Sequence, residues 1–117
     1  MHTSNKKLRE WEELVRETGC CVTGRTDNVQ IHHVVGRKGK HNKVRIGGVY
    51  ILPLNRDYHM LDGKHPNAWH KNKKGFIAEF GPARYLFMSV MNALIDDGQE
   101  VCGYVTGEML NSIMDCP

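Results

Sequence analysis

The chain has 117 residues, which fits one domain with a modest hydrophobic core. At 40% hydrophobic and 25% charged it has the make-up of a soluble globular protein, with no apolar run near the length of a membrane span. The formal charge of +3 hides an asymmetry: all 16 Lys and Arg lie in residues 1–84, and Asp96, Asp97, Glu100, Glu108 and Asp115 follow with no base among them.

In chain order, Thr3 or Ser4 caps a first helix that runs to about Thr18 and stops at Gly19. Leu8, Trp11 and Val15, widened by Leu14, form its apolar stripe, and Glu12 interrupts that stripe. Lys6, Lys7 and Arg9 add a short basic patch. Cys20 to Gly24 is a tight turn. With no charged-then-apolar leader, a cytoplasmic location is expected, and Cys20, Cys21, Cys102 and Cys116 read as free thiols. No CxxC pair exists, so no Cys-only zinc site is written here.

Val29 to Val35 reads as a strand. Alternation puts Val29, Ile31, His33 and Val35 on one face, and Gln30, His32 and Val34 on the other. Gly36 to Lys43 is too basic and Gly-rich to pack and reads as an exposed loop, with His41 in it. Val44–Ile46 and Val49–Leu54 form the returning strand, interrupted by Gly47 and Gly48. Pro53 assigns that strand to an edge or marks its end. Between Val34 and Lys74 ten bases stand against two acids, a local charge that suits a polyanion such as nucleic acid.

Asn55-Arg56-Asp57 is a turn and cap, followed by a short helix carrying His59. Gly63 to Asn67 breaks it, and Ala68 to Phe80 is helical, with Lys71, Lys73 and Lys74 on its wet side. Pro82 opens a helix to Asp96 that is apolar nearly all round and reads as the central core helix. In residues 97–117, Val101 to Val105 reads as a short strand and Glu108 to Met114 as a last turn or two of helix.

Neighbouring histidines on a strand point to opposite faces, so one can hold a metal while the other stays free as a base. A divalent ion needs further ligands. His59, just past the second strand, is the natural partner, and His70 or His65 on the following helix can supply a third. Open positions on the ion would take a phosphate oxygen.

The stretches IHHVVGR, ILPLNRDYH and HKNKKGFIAEFG resemble the His–Asn–His (ββα-metal, His-Me finger) endonucleases, and are most similar to the phage recombination-enhancement, RecA-dependent (Ref-like) group. The resemblance covers roughly residues 19–95. It implies an α+β fold: a ββα-metal hairpin and short helix over 20–80, packed against a first helix in 1–18, a core helix in 82–96 and a tail in 97–117. It assigns His32, His59 and His70 as ligands of one divalent ion (Zn, or Mg or Mn), with His65 and Cys20 as secondary candidates, and His33 as the general base. Arg37, Lys38, Lys40, Lys43, Lys71, Lys73 and Lys74 would bind DNA.

The implied activity is hydrolysis of DNA phosphodiester bonds by a phage or prophage recombination nuclease, in the host cytoplasm, with a RecA filament as partner. Two departures stand out. The family's asparagine falls near Tyr50, leaving Tyr50 or a backbone carbonyl to orient the base. A structural zinc held by four ligands in relatives would need Cys20, Thr23, Asn55 and Tyr58, and only Cys20 is a ligand. Two other functions remain compatible with the residues: a non-catalytic DNA-binding module with a structural zinc, and a small RNA-cutting toxin.

Overall fold

The computed structural model describes residues 4–116. Ser4 caps helix α1 (Asn5–Glu17), its hydroxyl accepting from Lys7 N at 3.3 Å; Thr3, the other candidate cap, lies outside the described residues. Trp11 and Val15 are fully buried, and Trp11 Nε1 donates to Val49 O at 2.9 Å, which pins α1 across the hairpin. Gly19, at φ +86°, ends the helix where a side chain would be strained.

The hairpin is strand β1 (Val29–His33), two residues shorter than the alternation suggests, because Val34 and Val35 already turn away. The expected loop holds a small hairpin of its own, β2 (Lys40–His41) against β3 (Val44–Arg45), closed by Asn42 and Lys43 at positive φ. Val44 and Arg45 therefore belong to this hairpin and not to the returning strand. That strand is β4 (Ile51–Asn55), antiparallel to β1, with His32 opposite Leu52 and His33 opposite Ile51. Its residues are all buried. Pro53 sits in this two-stranded sheet with its carbonyl taken by Cys21 N at 2.9 Å, which ties the turn after α1 to the sheet.

Asn55, 1% exposed, caps helix α2 (Arg56–His59) through Asp57 N at 3.0 Å. Its amide also donates to Asp27 O at 2.8 Å. Hydrogen bonds from an asparagine thus hold together the corner where the resemblance would call for a zinc ligand.

The second long helix starts later than expected. α3 spans Lys73–Phe80, capped by Asn72 on Gly75 N at 3.0 Å, and residues 68–72 form turns. Helix α4 (Ala83–Asp96) buries Ala83, Phe87, Val90, Met91 and Leu94, while Tyr85 and Ile95 are more than half exposed, so it is apolar-faced and not wrapped all round. Val101 and Val105 are buried in a turn, not a strand, and α5 (Gly107–Asp115) closes the chain. The result is a compact α+β fold with, among the described residues, five helices and two small antiparallel sheets. No described helix is long and apolar enough to cross a membrane.

Candidate metal centre

Three chain segments meet on one face of β1. His32 is the buried residue of that strand, and His59 ends α2 directly beside it. His70 is brought there by backbone pairing: Trp69 N donates to Tyr58 O at 2.9 Å and His70 N to His59 O at 3.0 Å. The third imidazole therefore sits on a turn before α3 and not on the helix itself. One ring nitrogen from each of His32, His59 and His70 lies within 4.8 Å of the others, close enough to bind a metal ion. His32 Nδ1 and His59 Nε2 are 3.2 Å apart. Two nitrogens on a tetrahedral zinc, each at ~2.0–2.1 Å, would be separated by about the same distance.

The electrostatics suit ligands. Burial first, then the neighbouring imidazoles, pulls His32 down to about 3 and His59 down to about 4. Both rings are thus neutral at ordinary pH, with lone pairs free to donate. His59 Nδ1 faces Gln30 Oε1 at 2.9 Å. An amide oxygen can only accept, so that nitrogen carries the proton and His59 Nε2 points its lone pair at the cluster. His32 Nε2 is buried with no hydrogen-bond partner. The nitrogen that His32 turns toward His59 is the other one, Nδ1, so the pair placed to share an ion is His32 Nδ1 with His59 Nε2. Trp69 packs on His32 at 4.5 Å between centroids and dries one side of the group, while exposed His70 leaves the other side open.

His65, the other candidate third ligand, lies outside this group. Its Nδ1 accepts from Asn67 N at 3.0 Å, its Nε2 faces Glu79 at 3.3 Å, and its ring stacks on Tyr58. It shapes the turn that carries His70. Cys20 is buried in the core, 3% exposed, and Cys20, Cys21, Cys102 and Cys116 are all free thiols.

His33 ends β1 on the opposite face, partly buried. It lines a cavity of about 310 Å³ beneath α1, with Glu12, Arg37, Lys38 and Arg45 on the walls. Its pKa is lowered, first by burial and then by Arg37, against an opposing pull from Glu12. It is near enough to the cluster that its charge works against protonation of both His32 and His59. Tyr50 does not orient it: that ring is fully buried edge-on to Phe87, and its hydroxyl has no partner.

The basic residues split into three groups. Arg37 and Lys38 belong to the His33 cavity. Lys40 and Lys43 line a separate depression with Thr106 and Glu108 of the tail, and Arg45 borders both. On the metal side, Lys73 lies 5.2 Å over the Trp69 ring, Lys71 donates to Gly63 O, and Lys74 is exposed.

Residue types alone did not single out Gln30, Glu12 or Arg45. Gln30 was legible in principle, two positions before His32 on the same strand face. Glu12 showed only as a charge on an apolar stripe. Comparison of the chain with protein-family models, with curated proteins and with solved structures found no match.

Proposed function

We propose that this protein is a metal-dependent endonuclease of the His–Asn–His type, in which β1, β4 and α2 form a ββα-metal finger. The observation that carries the reading is the trio of mutually close imidazoles, with a fourth, His33, next in the chain on an open basic side. Three nitrogen donors suit zinc and its transition-metal neighbours better than magnesium, which prefers oxygen. His32, His59 and His70 would hold the ion, and Gln30 fixes the tautomer of His59. A divalent ion bound there supplies positive charge against the phosphate and the leaving oxygen.

His33, its pKa lowered and its ring neutral, accepts a proton from water as the water oxygen attacks phosphorus. The phosphorus–oxygen bond to the departing sugar breaks, and that oxygen takes a proton from solvent. Arg37, Lys38 and Arg45 hold the flanking backbone by charge. Trp69 keeps water from behind His32.

The substrate is DNA on the resemblance, with RecA-coated strands as the finer expectation. The test combines metal analysis with cleavage. The purified protein should carry about one transition-metal equivalent. It should nick DNA, lose activity on chelation and regain it with zinc or manganese. Assays with and without RecA filaments address the partner. Failure to bind any divalent ion, together with failure to cut single-stranded, duplex or RecA-coated DNA or RNA, would overturn the proposal.

A further inference from the structure

We infer that the cavity between α1 and the end of the hairpin is a subsite for one unstacked nucleotide, with Glu12 reading the edge of its base. This rests on the nuclease reading only for its place beside the cleaved phosphate.

Size sets the first limit. At about 310 Å³ the cavity is at the small end of ligand pockets, which run from roughly 300 to 1,000 Å³. It can take a single nucleotide and is too small for a duplex. Its chemistry is divided as a nucleotide is divided. Leu8 and Val49 give an apolar surface for a base face, while Arg37, Lys38 and Arg45 supply cations for phosphate.

Gly48 lies in the wall and is not among the positive-φ glycines, so its backbone does not call for glycine. A Cβ there would meet Leu8 Cδ2 at 2.8 Å. A larger residue would press Leu8 out of place, and the bare Cα keeps the space open.

Glu12 supplies the selectivity. Its neighbour Glu13 is paired with Arg16 at 2.7 Å, whereas Glu12 takes part in none of the ion pairs found among the described residues. It stands on the inward stripe of α1 and faces the cavity. An ionised carboxylate only accepts hydrogen bonds. Guanine offers it two adjacent donors, N1–H and the N2 amino group. Adenine and cytosine offer one amino group. Thymine and uracil offer an N3–H flanked by two carbonyl oxygens, which repel the second carboxylate oxygen. The expected order is guanine, then adenine and cytosine, then thymine or uracil.

The test is an NMR titration of the full chain, as purified, with dGMP, dTMP, GMP and inorganic phosphate. dGMP should shift the amides of Leu8, Glu12, Gly48 and Val49, and bind about tenfold or more tightly than dTMP. Glu12→Gln should erase that difference. Gly48→Ala should weaken every nucleotide while the spectrum stays folded. The dGMP and GMP arms separate a DNA from an RNA subsite, and a stronger response to either sugar supports the pocket. Shifts from dGMP no different from those of phosphate alone, or a base preference surviving Glu12→Gln, would overturn the proposal. No cleavage is read, so a protein that binds dGMP but cuts nothing defeats the nuclease reading alone. One that cuts DNA but ignores dGMP defeats the subsite alone.

Discussion

His32 and His33 are adjacent in the chain and live in different media. His32 is 4% exposed, wedged between Trp69 and two other imidazoles, with one nitrogen lacking any partner. His33 looks into an open cavity walled by Arg37, Lys38 and Arg45. The two-residue period of a strand is what separates them. Burial lowers the pKa of both, but only His32 is packed among the other two imidazoles of the cluster, its Nδ1 3.2 Å from His59 Nε2. On the proposed nuclease reading, a single strand would in this way keep metal holding apart from proton transfer.

The most severe test of this division is His33→Ala. Cleavage should fall about 100- to 10,000-fold, the usual worth of a general base. Metal content, read by elemental analysis on the same sample, should not change. Loss of the ion along with activity would mean that the two faces are one site.

The acid limb of stability is next in size. In the metal-free protein His32 and His59 titrate near 3 and 4, well below an unperturbed histidine. Between those values and about 6.5 the unfolded chain takes up protons that the folded chain refuses. Their contribution is therefore complete above about pH 6.5 and is lost as pH falls toward 4. Urea unfolding of chelated protein should show a drop of a few kcal/mol over that window, since each tenfold loss of proton affinity on folding is worth ~1.4 kcal/mol. His32→Leu should flatten the limb, while His33→Ala should flatten it much less. Equal flattening by the two would contradict the contrast in burial.

A smaller effect tests how the dry face is set. Gln30→Leu keeps the shape of the side chain but removes the acceptor for His59 Nδ1 at 2.9 Å. Zinc affinity should weaken about 10- to 100-fold, as for other partners of ligating histidines. The ring-nitrogen shifts of His59 should report a mixture of tautomers. Unchanged affinity and a single tautomer would show that packing alone orients the ring.

Gln30 also marks how far sequence reasoning could reach. Strand alternation put Gln30 and His32 on one face, and His59 followed from its place after the second strand. His70 could be named but not placed, because the pairing of residues 69–70 with 58–59 lies in an irregular turn without periodicity. The β2–β3 hairpin was hidden for a related reason. Its turn is Asn42-Lys43, and lysine at positive φ carries none of the glycine signal that usually announces such a turn. Val101 to Val105 had the residues of a strand but no neighbour to pair with, so its valines are buried without a ladder. What tertiary pairing decides, local pattern does not contain.

The smallest effect concerns the rim of the open face. Asp115 on α5 accepts from Asn42 Nδ2 at 2.8 Å and meets His41 Nε2 at 3.0 Å, while Ser112 donates to His41 O at 3.2 Å. These contacts tie the acidic tail to the β2–β3 hairpin, next to Lys40, Lys43 and Arg45. His41 and then Asn42 hold the Asp115 carboxyl below the usual carboxylate range, so the tie is complete above that range and lost as the acid protonates. Asp115 is exposed, and water and salt screen such contacts. Asp115→Ala should therefore lower the melting temperature by a few degrees at most. It also removes a negative charge beside the basic hairpin, so nucleic-acid affinity should rise slightly at low salt, measured by fluorescence anisotropy, and converge with the unaltered protein as salt increases. A fall in affinity would mean that the tail positions the hairpin for binding, and that the open face depends on tertiary support as much as the buried one does.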